Sequence, residues 1–240
     1  MSNAKKNFNI MVSQRKKVSQ LWPAGRSIPV LNDDADSDRR SPFLTRTGKF
    51  YFTSNAVPKD PDTKFEKNFD LFYCILTNRI RLNFTQPTAV LGVCTVDDEL
   101  HPWVTPSGKE FYFSRKTKDG WRVFLARGPS LGAITKPTEV KLPAGFHHPT
   151  LSPNGLTMYL QGPLEKGRWG LFRTTRPRLT APWGKPVELT ELNSPEAPRG
   201  DMSPSLSPDG TKLYFASDRP GGKGGLDLWV IPVAKLAKKK

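Results

Sequence analysis

Short runs of apolar and aromatic residues alternate with turn residues along the whole chain, and none approaches the length of an apolar membrane-spanning helix. Four of these runs share one pattern. The first reads Ser41-Pro42-Phe43-Leu44 through Gly48 to Phe50-Tyr51-Phe52-Thr53-Ser54, and the second His101-Pro102-Trp103-Val104 through Gly108 to Phe111-Tyr112-Phe113-Ser114. The third is His148-Pro149-Thr150-Leu151 through Gly155 to Met158-Tyr159-Leu160, and the fourth Ser203-Pro204-Ser205-Leu206 through Gly210 to Leu213-Tyr214-Phe215-Ala216-Ser217. In each, a glycine stands 6 residues after the proline, and a tyrosine follows the glycine by 3 or 4. Each pattern predicts a β-hairpin. Proline opens a first strand without costing a ladder bond, glycine supplies the turn, and aromatic and β-branched residues suit the second strand.

Further strands follow each hairpin. Third strands are predicted at 69–73, 121–125, 170–173 and 226–231, and fourth strands at 87–90, 137–140 and 186–189. The repeat prolines lie 60, 47 and 55 residues apart. Four short strands in a unit of roughly 40–50 residues describe a propeller blade, a sheet that must stack on its neighbours to cover both faces. The expected fold is therefore all-β: a β-propeller of four-stranded antiparallel blades with about four blade equivalents. It can be a closed four-blade ring, or a partial or five-blade propeller.

Residues 1–32 are expected to form a partial blade, with a third strand at 8–13 and a fourth at 27–32. The last blade stops after its third strand near Ile231-Pro232, so the N-terminal strand at 28–31 can complete it and close the ring. The spacing from Arg15 to Trp22 equals that from Arg176 to Trp183, and a Pro-Val strand follows both. Residues 33–232 hold the four repeats, and 233–240 form a basic tail ending in Lys238-Lys239-Lys240.

These hairpins resemble the TolB-type, WD-like propeller repeat, whose core is Ser-Pro-x-Leu-Ser-Pro-Asp-Gly-x-x-Leu-Tyr-Phe-x-Ser. Residues Ser203 to Trp229 carry it most fully, including Ser217-Asp218-Arg219-Pro220-Gly221-Gly222. The resemblance spans nearly the whole chain and fades between Thr77 and Leu100. It implies a bacterial protein of the periplasm or cell envelope, a non-catalytic scaffold that binds a protein or an anionic cell-wall polymer. A closed ring implies a monomer.

Charge sharpens the partner class. With 37 Lys and Arg against 22 Asp and Glu the formal charge is +15, a balance that attracts polyanions. Nucleic acid enters on charge alone, without a recognised binding motif. The N-terminal segment has too short an apolar run before Arg15-Lys16-Lys17 to read as a secretory leader. Cys74 and Cys94 form no metal-binding Cys-x-x-Cys, and Cys74 is expected to be a buried, inert thiol.

Candidate chemistry is sparse. The chain has no Gly-x-Ser-x-Gly nucleophile elbow, and the run Gly221 to Gly225 lacks the spacing of a phosphate-binding loop. On this reading there is no catalytic set and no cofactor. The alternative rests on histidines. His101, His147 and His148 all stand at first-strand starts, and His101 and His148 occupy equivalent positions before the proline. Equivalent positions in adjacent blades converge near a channel rim. Imidazoles there can bind a ligand or a divalent metal, or move protons, with Glu99, Asp201 and Asp38 as nearby oxygen donors. That would suit a metal-dependent lyase or hydrolase of anionic carbohydrate. Against it, two of the four repeats carry serine at the same place.

Trp103 stands where the other repeats carry Phe43, Thr150 and Ser205, so it is a candidate platform for a sugar or base. Trp22, Trp183 and Trp229 are expected to pack between blades. The acidic run from Asp33 to Asp38 reads as a solvated connection, with calcium binding as its functional alternative.

Overall fold

The computed structural model describes residues 7–17, 19–32, 36–56, 68–128 and 136–236. The acidic stretch 33–35 and the terminal lysines 238–240 lie outside them. The chain divides into two compact units, residues 1–100 and 101–240. Among the described residues, strands and turns make up nearly all the structure, and no helix is long and apolar enough to cross a membrane.

In the first unit, β1 (Met11–Val12) pairs antiparallel with β2 (Arg26–Ser27). The fourth strand expected at 27–32 ends almost as it begins. Pro29–Leu31 is a 3-10 turn instead, with proline at its start, where a missing N–H and a fixed φ cost least. Asn32 ties this turn back, accepting from the Ile10 N–H at 2.9 Å and donating to the Ile28 carbonyl at 3.1 Å.

A meander follows of β3 (Arg39–Leu44), β4 (Lys49–Ser54) and β5 (Asp70–Asn78). Two short strands, β6 (Asn83–Phe84) and β7 (Thr88–Ala89), both pair with β5. The β6 extension falls where the repeat pattern fades, and it lengthens the third strand well beyond its expected end. Ile10, Leu31, Phe50, Phe52, Phe72 and Cys74 form the core, and burial pushes the Cys74 thiol up to about 12.

The next sheet is β8 (Asp98–Val104), β9 (Glu110–Thr117), β10 (Gly120–Arg127) and β11 (Thr138–Glu139). The boundary between the units falls within β8, after Leu100. The sheet of β12 (His147–Leu151), β13 (Thr157–Pro163), β14 (Trp169–Thr175) and β15 (Val187–Glu188) follows. The last sheet has three strands, β16 (Asp201–Leu206), β17 (Lys212–Ser217) and β18 (Asp227–Pro232). Along β17, Leu213, Phe215 and Ser217 alternate inward, the period of two that strand geometry imposes. Leu213 and Phe215 join Tyr159, Leu171, Leu189 and Leu192 in the core of the second unit.

The repeat proline does not open its strand. In three of the repeats it sits inside a β-bulge, with the register slipping between Arg40 and Phe43, His147 and Thr150, and Met202 and Ser205. The residue before it is left-handed in all four repeats: Ser41 at φ 52°, His101 at 57°, His148 at 55° and Ser203 at 55°. A non-glycine residue there is strained by roughly 1–3 kcal/mol, so the neighbouring structure must hold it. Within the second unit it does so twice in the same way. The His148 N–H donates to Ser114 Oγ at 2.8 Å, and the Ser203 N–H to Gln161 Oε1 at 2.9 Å, each acceptor lying in the second strand of the preceding sheet.

Gly200 precedes β16 at φ 91°, and its backbone packs against Trp169 so closely that a Cβ would lie 1.9 Å from the Trp169 carbonyl oxygen. Gly200→Ala is expected to lower stability by more than about 3 kcal/mol, because strain and a backbone clash add. Urea unfolding followed by tryptophan fluorescence measures it.

Candidate functional site

The bulges bring all three histidines together in the second unit. The His101 ring stacks on His148 with centroids 4.0 Å apart and planes 21° apart, and His147 lies 5.5 Å from His101. Two indoles complete the group. Trp121 stacks on His147 at 4.9 Å and 18°, while Trp169 meets His147 edge-on at 4.8 Å and 82°. Trp121 and Trp169 occupy equivalent positions, each three residues before the phenylalanine (Phe124 or Phe172) that pairs with the outer strand. That register was present in the sequence, but a tryptophan at a third-strand start looks like any core aromatic until the bulge turns a histidine onto it.

His147 and His148 are poor cations. Burial pushes His147 down to about 4, although its Nδ1–H donates to the Gly145 carbonyl at 2.9 Å. Burial, with His147 beside it, pushes His148 down to about 3, and the His148 Nδ1 atom is buried without a hydrogen-bond partner. At neutral pH both rings are uncharged.

The carboxylates named with them stand elsewhere. Asp201 is fully buried; one oxygen accepts from the Ser194 N–H at 2.7 Å, and the other is paired with the Arg219 guanidinium. Asp38, in the first unit, accepts from the Phe8 N–H at 2.8 Å and pairs with Arg40 at 3.0 Å. Glu99, also in the first unit, accepts from Thr95 N–H and Oγ1–H at 2.9 and 2.5 Å. Among the described residues, the grouping of three metal-ligating atoms is Asp70, Cys94 and Glu99, not the histidines.

Trp103 is 8% exposed and edge-on to Tyr112. It lies at the wall of a cavity of about 700 Å³ in the second unit, with Pro106, Pro153, Leu179, Lys109 and Arg127. Arg127 pairs with Glu110 at 3.0 Å and is 55% exposed, leaving guanidinium surface at the rim. The equal Arg-to-Trp spacings also acquire a physical meaning. Arg15 lies 4.2 Å over Trp22, and Arg176 4.3 Å over Trp183, so each pair is a cation–π clasp.

Compared by sequence, the chain matches no family model and no curated protein. Compared by structure, it is similar to TolB from Acinetobacter baumannii, at 12% identity and a TM-score of 0.54, over 88% of this chain and 44% of that one. A protein described as putative TolB from Agrobacterium tumefaciens gives 18% identity and a TM-score of 0.50, over 82% and 58%. The family-43 endo-arabinanase from Bacillus licheniformis gives 9% identity and a TM-score of 0.65, over 94% and 86%. The fold is a four-blade β-propeller. At these identities the likeness concerns the fold alone, and this propeller spans about half the length of the two TolB proteins.

Proposed function

We propose that this propeller is a non-catalytic binding module whose ligand is an anionic polymer, with the Trp103 cavity as its seat. The observation that carries this reading is an apolar wall (Trp103, Pro106, Pro153, Leu179) set beside Lys109 and the Arg127–Glu110 ion pair in a cavity of about 700 Å³. That volume lies within the range of ligand sites, and an indole beside Lys109 and a half-exposed, Glu110-paired Arg127 suits a charged sugar chain. A formal charge of +15 favours the same class over long range. The resemblance to TolB-type repeats supports a cell-envelope setting, where such polymers occur, or a protein partner on the same face.

Catalysis is the second reading, on anionic carbohydrate through His101 and His148 with a divalent metal. The unpartnered His148 Nδ1 favours it, as does the occurrence of this fold in a family-43 endo-arabinanase. Glycoside hydrolysis uses two carboxyl groups flanking the scissile bond. Asp201 is instead held by Arg219 and Ser194, and His147 and His148 are neutral within an aromatic stack, which weighs toward binding.

The test is titration with oligogalacturonate, together with co-sedimentation with cell-wall sacculi, at low and high salt. Lys109→Glu with Arg127→Glu, and separately Trp103→Phe, are each expected to weaken binding about tenfold or more, on the scale of one lost stacking or charge contact. Binding that disappears in high salt and ignores both changes would reduce the affinity to bulk charge. Release of new reducing ends, abolished by His148→Ala, would replace this reading by the enzymatic one.

A further inference from the structure

We propose that Asp70, Cys94 and Glu99 in the first unit form a binding site for a single zinc ion. Asp70 opens β5, Glu99 is the second residue of β8, and Cys94 lies in the loop between β7 and β8. Backbone bonds fix this arrangement. The Glu99 N–H donates to the Phe69 carbonyl at 2.6 Å, and Asp98 Oδ1 accepts from the Phe69 N–H at 3.0 Å, so the starts of the two strands are locked side by side. Cys94 Sγ lies 3.2 Å from the Val90 carbonyl oxygen and 3.7 Å from that of Leu71, which holds the thiol over β5.

One donor atom from each of the three side chains lies within 4.8 Å of the others. Zn–S and Zn–O bonds of about 2.3 and 2.0 Å require donors about 3.3–3.5 Å apart, so a closing movement of about 1 Å completes the site. The second observation is independent of this proximity. Asp70 is 2% exposed, and its Oδ1 atom is buried without a hydrogen-bond partner. A buried carboxylate oxygen that makes no hydrogen bond is rare and costly, and with Cys94 and Glu99 beside it a metal ion held by all three is one of the few groups that satisfies it.

The donor set selects the ion. A sulfur with two carboxylates suits borderline Zn²⁺, whereas Ca²⁺ and Mg²⁺ take oxygen alone. Binding forms a Zn–S bond as the Cys94 proton leaves to solvent, and the carboxylates bind as anions. The Thr95 N–H and Oγ1–H already hold Glu99, an outer contact that aims the carboxylate. Water takes the fourth position. The ion would clamp the 91–97 loop to two strands.

The 240-residue chain, stripped with a chelator, is dialysed against Zn²⁺ or Co²⁺ and assayed for bound metal, thiolate-to-cobalt charge-transfer absorption and thermal midpoint. Expected results are one equivalent of Zn²⁺, a raised midpoint and a charge-transfer band that Cys94→Ser abolishes. Asp70→Asn should weaken Zn²⁺ binding at least tenfold, whereas Cys74→Ser and His148→Ala should leave uptake and band unchanged. Cys94→Ser is nearly isosteric, and circular dichroism establishes that it folds. Failure of the folded wild type to retain Zn²⁺ would overturn the proposal. So would a band surviving in Cys94→Ser, or uptake that depends on His148.

Discussion

Arg219→Met is expected to destabilise the protein by about 3–5 kcal/mol, the scale on which removing one partner strands a buried charge. Asp201 has no exposed surface, and the Arg219 side chain is 20% exposed. The same guanidinium nitrogen that pairs with Asp201 also donates to the Leu192 carbonyl at 2.7 Å. Its plane lies 4.9 Å over Phe215 and 5.3 Å over Trp229. Methionine keeps much of the stem's packing but leaves the Asp201 carboxylate with only the Ser194 N–H. The double variant Arg219→Met with Asp201→Asn separates charge from packing and should recover more than half of the loss. Urea midpoints of the four proteins of this cycle measure the effect. Equal losses in the single and double variants would show that stacking on Phe215 and Trp229, not the ion pair, holds the blade.

Acid is expected to loosen the second unit well before carboxylate titration alone would. His147 is 4% exposed, and its pKa falls from 6.5 unfolded to about 4 folded. A depressed folded pKa means that the unfolded chain takes up the proton first. The stability due to neutral His147 is therefore complete above pH 6.5 and is lost as pH falls toward 4, by about 3 kcal/mol at 1.36 kcal/mol per unit. His148 acts in the same direction. Asp70 in the first unit opposes it. Burial raises its pKa from 3.8 to about 6, so its contribution is complete below pH 3.8 and is lost as pH rises through 6.

Comparing His147→Phe with wild type cancels that opposing effect. The variant should be about 1 kcal/mol less stable at pH 7.5, having lost the bond to Gly145, yet much less sensitive to acid between pH 6.5 and 4. Urea titrations at pH 7.5, 5.5 and 4.5 follow both limbs. Parallel pH profiles for the two proteins would assign the acid sensitivity to other groups.

The fold was legible in the sequence because its signals are local. Pro-to-Gly spacing defines a hairpin, and hairpins of one kind must make blades of one kind. The third strands appeared where the apolar runs placed them, and the short fourth strands expected at 87–90, 137–140 and 186–189 fell inside those limits, whereas the one expected at 27–32 did not. Pro29 looked like a strand start and instead begins a 3-10 turn, because proline suits both environments equally. The β6 extension of β5 carried no repeat signal to reveal it.

The site was legible only as a list. His101 and His148 were recognisable as equivalent, but nothing linked Trp121 and Trp169 to the histidines until strand pairing set the His147 ring against both indoles. The motif Ser217-Asp218-Arg219 was visible as a repeat element, while its partners were not. Asp218 pairs with Arg199 and Arg219 with Asp201, contacts 19 and 18 residues apart that no spacing rule predicts. The grouping of Asp70, Cys94 and Glu99 escaped notice for the same reason: Glu99 was read as an oxygen donor beside the histidines and Cys94 as a thiol outside any metal motif, and only the pairing of strand starts makes the three neighbours.

The left-handed residue before each repeat proline bears on how the second unit comes apart. The amides of His148 and Ser203 are anchored to side chains of the preceding sheet, so a sheet that detaches removes a hydrogen bond that helps hold its neighbour's strained backbone. Melting of one sheet thereby weakens the next. The second unit should lose its structure in one concerted step, with nearest-neighbour coupling written into one torsion angle and one hydrogen bond per junction.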